Sequence, residues 1–143
     1  MIKIIITKKY SPQFYDFSKK IWEIADMENY GRKINWEKEN RFIQAYKNTT
    51  LVGLIELTLE AGVMHILDLV VDYTEQNQGI GTELMKKAEE VAKQNNIHKI
   101  FLETGATWKV RKFYEKLGYV KTGDLPKHFE KQDYVEYTKL LEL

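Results

Sequence analysis

Between Arg41 and Asp72 the chain reads RFIQAYKNTTLVGLIELTLEAGVMHILDLVVD, three aliphatic and β-branched runs interrupted only by Asn-Thr-Thr and Ala-Gly. The runs, Phe42 to Lys47, Leu51 to Glu60 and Val63 to Asp72, have strand length and strand composition. Their joins are too short for a crossover, so neighbouring runs must fold back on each other as antiparallel hairpins. Three consecutive antiparallel strands are thereby expected near the middle of the chain, and the remaining elements must pack against them.

The flanks supply those elements. Ile2 to Thr7 is a short β-branched run that predicts a buried strand. SPQFYDFSKKIWEIADM follows, with Ser11 as N-cap, Pro12 at the first helical position and Phe14, Phe17, Ile21 and Ile24 at helical spacing. ENYGRKINWEKEN has no clean period. Beyond the three strands, Ile80, Leu84, Ala88, Val91 and Ala92 mark a helix of about four turns ending near Asn95 and Asn96. HKIFLET predicts a strand, WKVRKFYEKLG a helix closed by Gly118, and YVKTG and DYVEYTKLLEL two final strands joined by DLPKHFEKQ. The order is strand, helix, three strands, helix, strand, helix, two strands, which is a mixed α/β (α+β) fold. At 143 residues, with neither repeat nor linker, a single domain over residues 1–143 is expected.

Composition narrows the function. Lys and Arg number 22 against 21 acidic residues, so no broad charge invites nucleic acid or a membrane surface, and any anion site must be local. The absence of cysteine excludes disulfides, thiolate zinc sites and a cysteine nucleophile. His65, His98 and His128 lack metal-ligand spacing, so no metal is expected. The N-terminal apolar run is too short for a signal peptide and no run reaches the length of a membrane span, so a cytoplasmic location is the default expectation.

The stretch EQNQGIGTELM puts Gly79 and Gly81 where a strand passes into a helix. A nucleotide P-loop would need lysine where Thr82 stands, and a dinucleotide fingerprint would need a third glycine where Leu84 stands. What remains is a run of free backbone amides at a positive helix end, which suits a pyrophosphate, or else a plain tight turn.

Context bears on that choice. Gln76, Gly79 and Gly81 match the pyrophosphate signature of the Gcn5-related N-acetyltransferase family, Gln or Arg, two residues, Gly, any residue, Gly or Ala. Phe113, Tyr114, Glu115, Lys116, Gly118 and Tyr119 match its second signature. The chain resembles that family over essentially its whole length. The resemblance implies a mostly antiparallel mixed sheet of about seven strands flanked by about four helices. It also implies acetyl-CoA as co-substrate and a primary amine of a small molecule or peptide as acceptor; dimers are common in the family. The cofactor would lie on Gln76, Asn77, Gln78, Gly79, Ile80, Gly81 and Thr82, with Phe113 and Tyr114 beside it. Its pantetheine would run along the backbone of Leu69, Val70 and Val71 as an added strand would. Thr107 and Val110 stand where many members have asparagine and alanine; Thr107 can still donate to the pantetheine arm.

Acyl transfer to an amine needs a neutral amine, a polarised carbonyl and a proton for the departing thiolate. The resemblance makes Tyr114 the acid. Glu103 and Asp68 are the candidate bases, unless the amine arrives already neutral, and His65 reads as a hydrogen-bonded core or surface residue. Tyr30, Trp36 and Phe129 would line the acceptor site. Two rival functions belong to other classes, a non-catalytic acyl-CoA-binding regulatory domain and a protein-interaction module whose glycine loop is only a turn.

Overall fold

The computed structural model describes residues 1–142, and the chain divides into two compact units, Met1–Trp36 and Glu37–Leu143. The first unit is built on one helix, α1 (Pro12–Tyr30), with Ser11 extended at its N-cap and Pro12 leading the first turn. Proline fits there because its missing N–H would have no partner in a first turn. Gly31, with φ of 71°, closes the other end, its amide reaching the Met27 carbonyl at 3.1 Å. The loop after it is tied back to the helix by Asp26, 2% exposed, which accepts from the Ile34 amide at 3.2 Å and from Trp36 Nε1 at 3.1 Å.

The strand expected over Ile2 to Thr7 is absent. Its one hydrogen bond among the described residues is local, Thr7 Oγ1 to the Lys9 carbonyl at 2.7 Å. A β-branched run is a strand only where a ladder partner accepts it, and every rung of the sheet comes from residue 39 onward.

In the second unit the three central runs form β1 (Glu39–Lys47), β2 (Thr50–Glu60) and β3 (Val63–Val71), consecutive antiparallel neighbours. Helix α2 (Ile80–Gln94) then crosses over to β4 (Lys99–Gly105), which lies parallel to β3. A short helix α3 (Arg111–Lys116), β5 (Val120–Leu125) and β6 (Tyr134–Leu140) complete a sheet of order β1-β2-β3-β4-β6-β5. Among the described residues, six strands and three α-helices thus stand against the about seven and about four expected, and the fold class is the one expected. Helix α3 is shorter than WKVRKFYEKLG because Trp108 is held in a turn, its amide on the Gly105 carbonyl at 3.1 Å and its ring packed over Gly105.

One sheet face carries the core. Leu84, Met85, Ala88 and Ala92 of α2 bury against Ile55, Leu57, Met64, Ile66, Ile100 and Leu102. Emptying one such site, as in Leu84→Ala, costs about 2–5 kcal/mol.

Two irregularities shape the middle of this sheet. Strands β3 and β4 share only three rungs, ending at His65 opposite Phe101, although β3 continues to Val71 and β4 to Gly105. Just past that last rung the β2–β3 register shifts. Glu56 opposes Asp68 while Leu57 opposes Ile66, leaving Leu67 as an extra residue. A bulge bends and over-twists its strand. Here it carries β3 away from β4 and opens a wedge whose β3 side has no ladder partner from β4.

Candidate active site

The bulge also sets which way the side chains of β3 point. Met64 and Ile66 face the core, and beyond Leu67 the facing set becomes Leu69 and Val71, packed against that same core. Asp68 and Val70 turn to the other face, with Val70 54% exposed. Asp68, one of the two candidate bases, is therefore exposed, opposite Glu56 on β2.

At the end of β3 the chain enters a loop fastened at both ends. The Asp72 amide donates to the Val52 carbonyl at 2.8 Å, and Asp72 caps a single 3₁₀ turn through the Thr74 amide at 2.8 Å. The Thr74 hydroxyl, and after it the Thr74 amide, hold the Asp72 carboxyl below the usual carboxylate range. Lys47 reaches Glu75 at 3.2 Å, and Gln76 Nε2 donates to the Val71 carbonyl at 3.1 Å. Gln76 therefore pins the loop to the strand it leaves.

Gly79 then starts α2 with φ of 84° and open space where a side chain would stand, so backbone conformation calls for glycine there. Gly81 has another reason, since a Cβ would come 3.3 Å from Phe113 Cζ. The amides of Ile80, Gly81 and Thr82 belong to the first turn, where no preceding carbonyl is available to them. Their dipoles and the helix end make this spot favourable to an anion.

A cavity of about 570 Å³ lies over these amides, lined by Leu69, Val71, Glu75, Gln76, Asn77, Gly79, Ile80, Gly81, Thr82, Lys109, Val110 and Phe113. The sequence reading anticipated most of this lining but missed Glu75, Val110 and Lys109. A single lysine in a turn carries no pattern, and only the fold brings it over the glycine loop. Val70, Gln78, Thr107 and Tyr114 were expected at the cofactor and are not among the lining residues. Thr107 is exposed in the turn after β4.

Tyr114 lies beneath, 7% exposed, with its ring against Phe113 at 5.2 Å, Tyr119 at 6.1 Å and Tyr137 at 6.4 Å. Burial pushes its phenol up to about 12, so the proton stays on at neutral pH. Its hydroxyl has no hydrogen-bond partner among the described residues, and no buried side-chain oxygen is left unsatisfied, so that oxygen keeps access to solvent. A tyrosine this buried ordinarily donates to a neighbour.

On the sheet face opposite the core, Glu103 and His65 meet at the apex of the wedge, Oε2 to Nε2 at 2.7 Å. They are 38 residues apart in sequence. His65 stacks on Phe101 at 4.2 Å between centroids and 9° between planes. The residues expected to line an acceptor site take up local partners. Tyr30 and Trp36 pack at 6.1 Å in the first unit, with the Trp36 indole N–H held by Asp26. Phe129 packs on His128 at 4.3 Å and on Tyr134 at 5.4 Å in the second.

Residues 6–141 match the family model of the acetyltransferase (GNAT) domain, and the chain belongs to that family. Among known proteins, YxbD of Bacillus subtilis (strain 168), itself uncharacterised, is 39% identical over 70 residues, which are 48% of this chain and 43% of that protein. The chain therefore spans less than half of that relative. Among solved structures, an acetyltransferase from Bacillus cereus ATCC 14579 superposes with a TM-score of 0.72 at 20% identity, covering 96% of this chain and 98% of that one. A Bacillus subtilis acetyltransferase in complex with CoA superposes with a TM-score of 0.67 at 19% identity, covering 95% and 96%. These likenesses establish the fold. Among the described residues, no helix is long and apolar enough to cross a membrane.

Proposed function

We propose that the whole chain acts as one cytoplasmic N-acetyltransferase domain that moves an acetyl group from acetyl-CoA to a primary amine of a small molecule or peptide, by direct attack while both are bound. The observation that carries this reading is the continuity of the wedge with the glycine loop. A free β3 edge at Leu69–Val71 runs into first-turn amides at Ile80–Thr82, under a cavity with Lys109 on its rim. An amide-bearing chain that ends in a pyrophosphate matches both parts, because it can pair with the edge as a strand would and set its phosphates on the helix end. The residues fit acetyl-CoA, which when bound supplies the thioester.

The protein's own part is to hold that thioester along β3, with a backbone amide near Val70 polarising its carbonyl. Tyr114 presents a hydroxyl to the departing sulfur. Glu103 and Asp68 place carboxylates on the opposite sheet face, Glu103 at the wedge apex and Asp68 past the bulge. The test is CoA release from acetyl-CoA with a panel of primary amines, read with a thiol reagent, alongside thermal denaturation with acetyl-CoA, NAD and ATP. Acetyl-CoA at about a hundred times its Kd adds about 2.7 kcal/mol of stability, and NAD and ATP add none. Stabilisation with no CoA release for any amine would leave an acyl-CoA-binding domain, and no stabilisation at all would reduce the glycine loop to a turn.

A further inference from the structure

The pair at the wedge apex sorts the deprotonation roles. A carboxylate only accepts, so the 2.7 Å contact places a proton on His65 Nε2, donated to Glu103 Oε2. With Nε2 protonated, Nδ1 carries the lone pair of the neutral ring, and among the described residues it has no hydrogen-bond partner. The stack on Phe101 fixes the ring plane while Glu103 fixes its tautomer and rotation. Both side chains are roughly a quarter exposed, so water reaches them. A nucleophile's base, oriented by a third group, is the same logic that builds acyl-transfer sites on other folds.

We propose that His65 is the base that deprotonates the incoming amine, through water at Nδ1, and that Glu103 is its positioning residue. This rests on the N-acetyltransfer reading above and names the proton path of that same site. The ammonium gives one proton to Nδ1, and the freed electron pair forms the new C–N bond at the thioester carbonyl. The C–S bond breaks with its pair on sulfur, and the second amine proton reaches that sulfur, beside the Tyr114 hydroxyl. His65 then returns its proton to solvent, so the products are amide, CoA thiol and one released proton. The charged groups facing the ring are Glu56 and Glu60 of β2, Asp68 of β3, Lys99 and Glu103 of β4 and Glu136 of β6, with Thr58 opposite on β2. Lys99 sits over the Phe101 ring at 5.8 Å and Glu136 accepts from the Thr122 hydroxyl at 2.7 Å, so the imidazolium formed in the reaction stands among an excess of carboxylates.

The experiment uses the full chain with spermidine, glucosamine 6-phosphate, lysine and an alanine-terminated hexapeptide as acceptors. His65→Gln is expected to lower kcat/KM about a hundredfold and to erase the acidic limb of its pH profile. Glu103→Gln is expected to lose about tenfold and keep that limb, because the amide still accepts from Nε2 but orients the ring less firmly. Acetyl-CoA affinity and melting temperature serve as folding controls and should match the parent in both variants. Independently of turnover, a long-range ¹H–¹⁵N correlation spectrum of the parent should show His65 protonated at Nε2 and bare at Nδ1. An acidic limb that persists in His65→Gln, a larger loss in Glu103→Gln than in His65→Gln, or a ring protonated at Nδ1 would each overturn the assignment. If acetyl-CoA binds and no amine is turned over, the acetyl-transfer reading falls, and the spectrum still decides the tautomer.

Discussion

Replacing Tyr114 with Phe removes one oxygen from a ring held by three aromatic neighbours. Since the hydroxyl has no protein partner among the described residues, the change orphans no donor or acceptor, and the melting temperature should stay within about 2 °C of the parent. The effect on rate follows from acidity. Burial puts this phenol at about 12, whereas a free thiol ordinarily titrates near ~8.5. Complete transfer of the Tyr114 proton to a thiolate would therefore run about three and a half pH units uphill, about 5 kcal/mol. The hydroxyl is better suited to donate a hydrogen bond to sulfur as charge builds there, worth about 1.5–3 kcal/mol for a charged acceptor. That converts to a fall in kcat of roughly 10- to 150-fold with the Kd for acetyl-CoA unchanged. The sign with pH is fixed too. The donor form persists below about 12, so Tyr114 imposes no basic limb on kcat up to about pH 10, and the Phe variant should run parallel to the parent. Ellman titration of released CoA is clean here because the chain has no cysteine of its own. A change in kcat under threefold would refute the hydrogen-bonding role, and a fall beyond a thousandfold would refute the acidity argument.

Three further outcomes follow from the same geometry. Gly79→Ala should cost about 1–2 kcal/mol in urea denaturation because of its left-handed φ of 84°, whereas Gly81→Val should weaken acetyl-CoA binding more than tenfold by calorimetry, since any Cβ there already meets Phe113. Lys109→Glu should raise the Kd for acetyl-CoA several-fold at low salt, with the gap to the parent shrinking as salt screens the cavity rim. Asp26→Ala strips the acceptor from the Ile34 amide and the Trp36 indole, and should cost about 2–4 kcal/mol with a shift in tryptophan emission, while Asp26→Asn should cost less.

The three central strands were legible because turn residues bracket alternating runs, and the observed bounds of β1, β2 and β3 lie within about three residues of those read from the sequence. The glycine loop was legible for a related reason, since few residue types satisfy a positive φ at a helix entrance. Ile2 to Thr7 misled because strand propensity records what suits a ladder and is silent on whether a partner exists. The outward turn of Asp68 was illegible because of one residue. With strict alternation along MHILDLVV, either set of alternate residues could face the core, and nothing local marks Leu67 as the extra member; the shift belongs to the pairing with β2. The His65–Glu103 contact was invisible for the same reason, because two strands separated by a whole helix and its loops have to align before those side chains meet.

Leu67 also determines how this stretch of chain tolerates insertion and deletion. In most strands, losing one residue swaps inside for outside over everything downstream, and here the swap is already built in. Deleting Leu67 would restore strict alternation with Met64, Ile66, Leu69 and Val71 still on the core face and Asp68 and Val70 still on the other, so the loss would fall on the bend that opens the wedge and not on the core. Substituting Leu67 by Ala would leave the count of residues, and hence both faces, as they are. As far as inside and outside are concerned, the position is thus forgiving both in side-chain identity and in number, as its neighbours in β3 are not, and a deletion library set beside a substitution library over residues 63–71 would display that contrast directly.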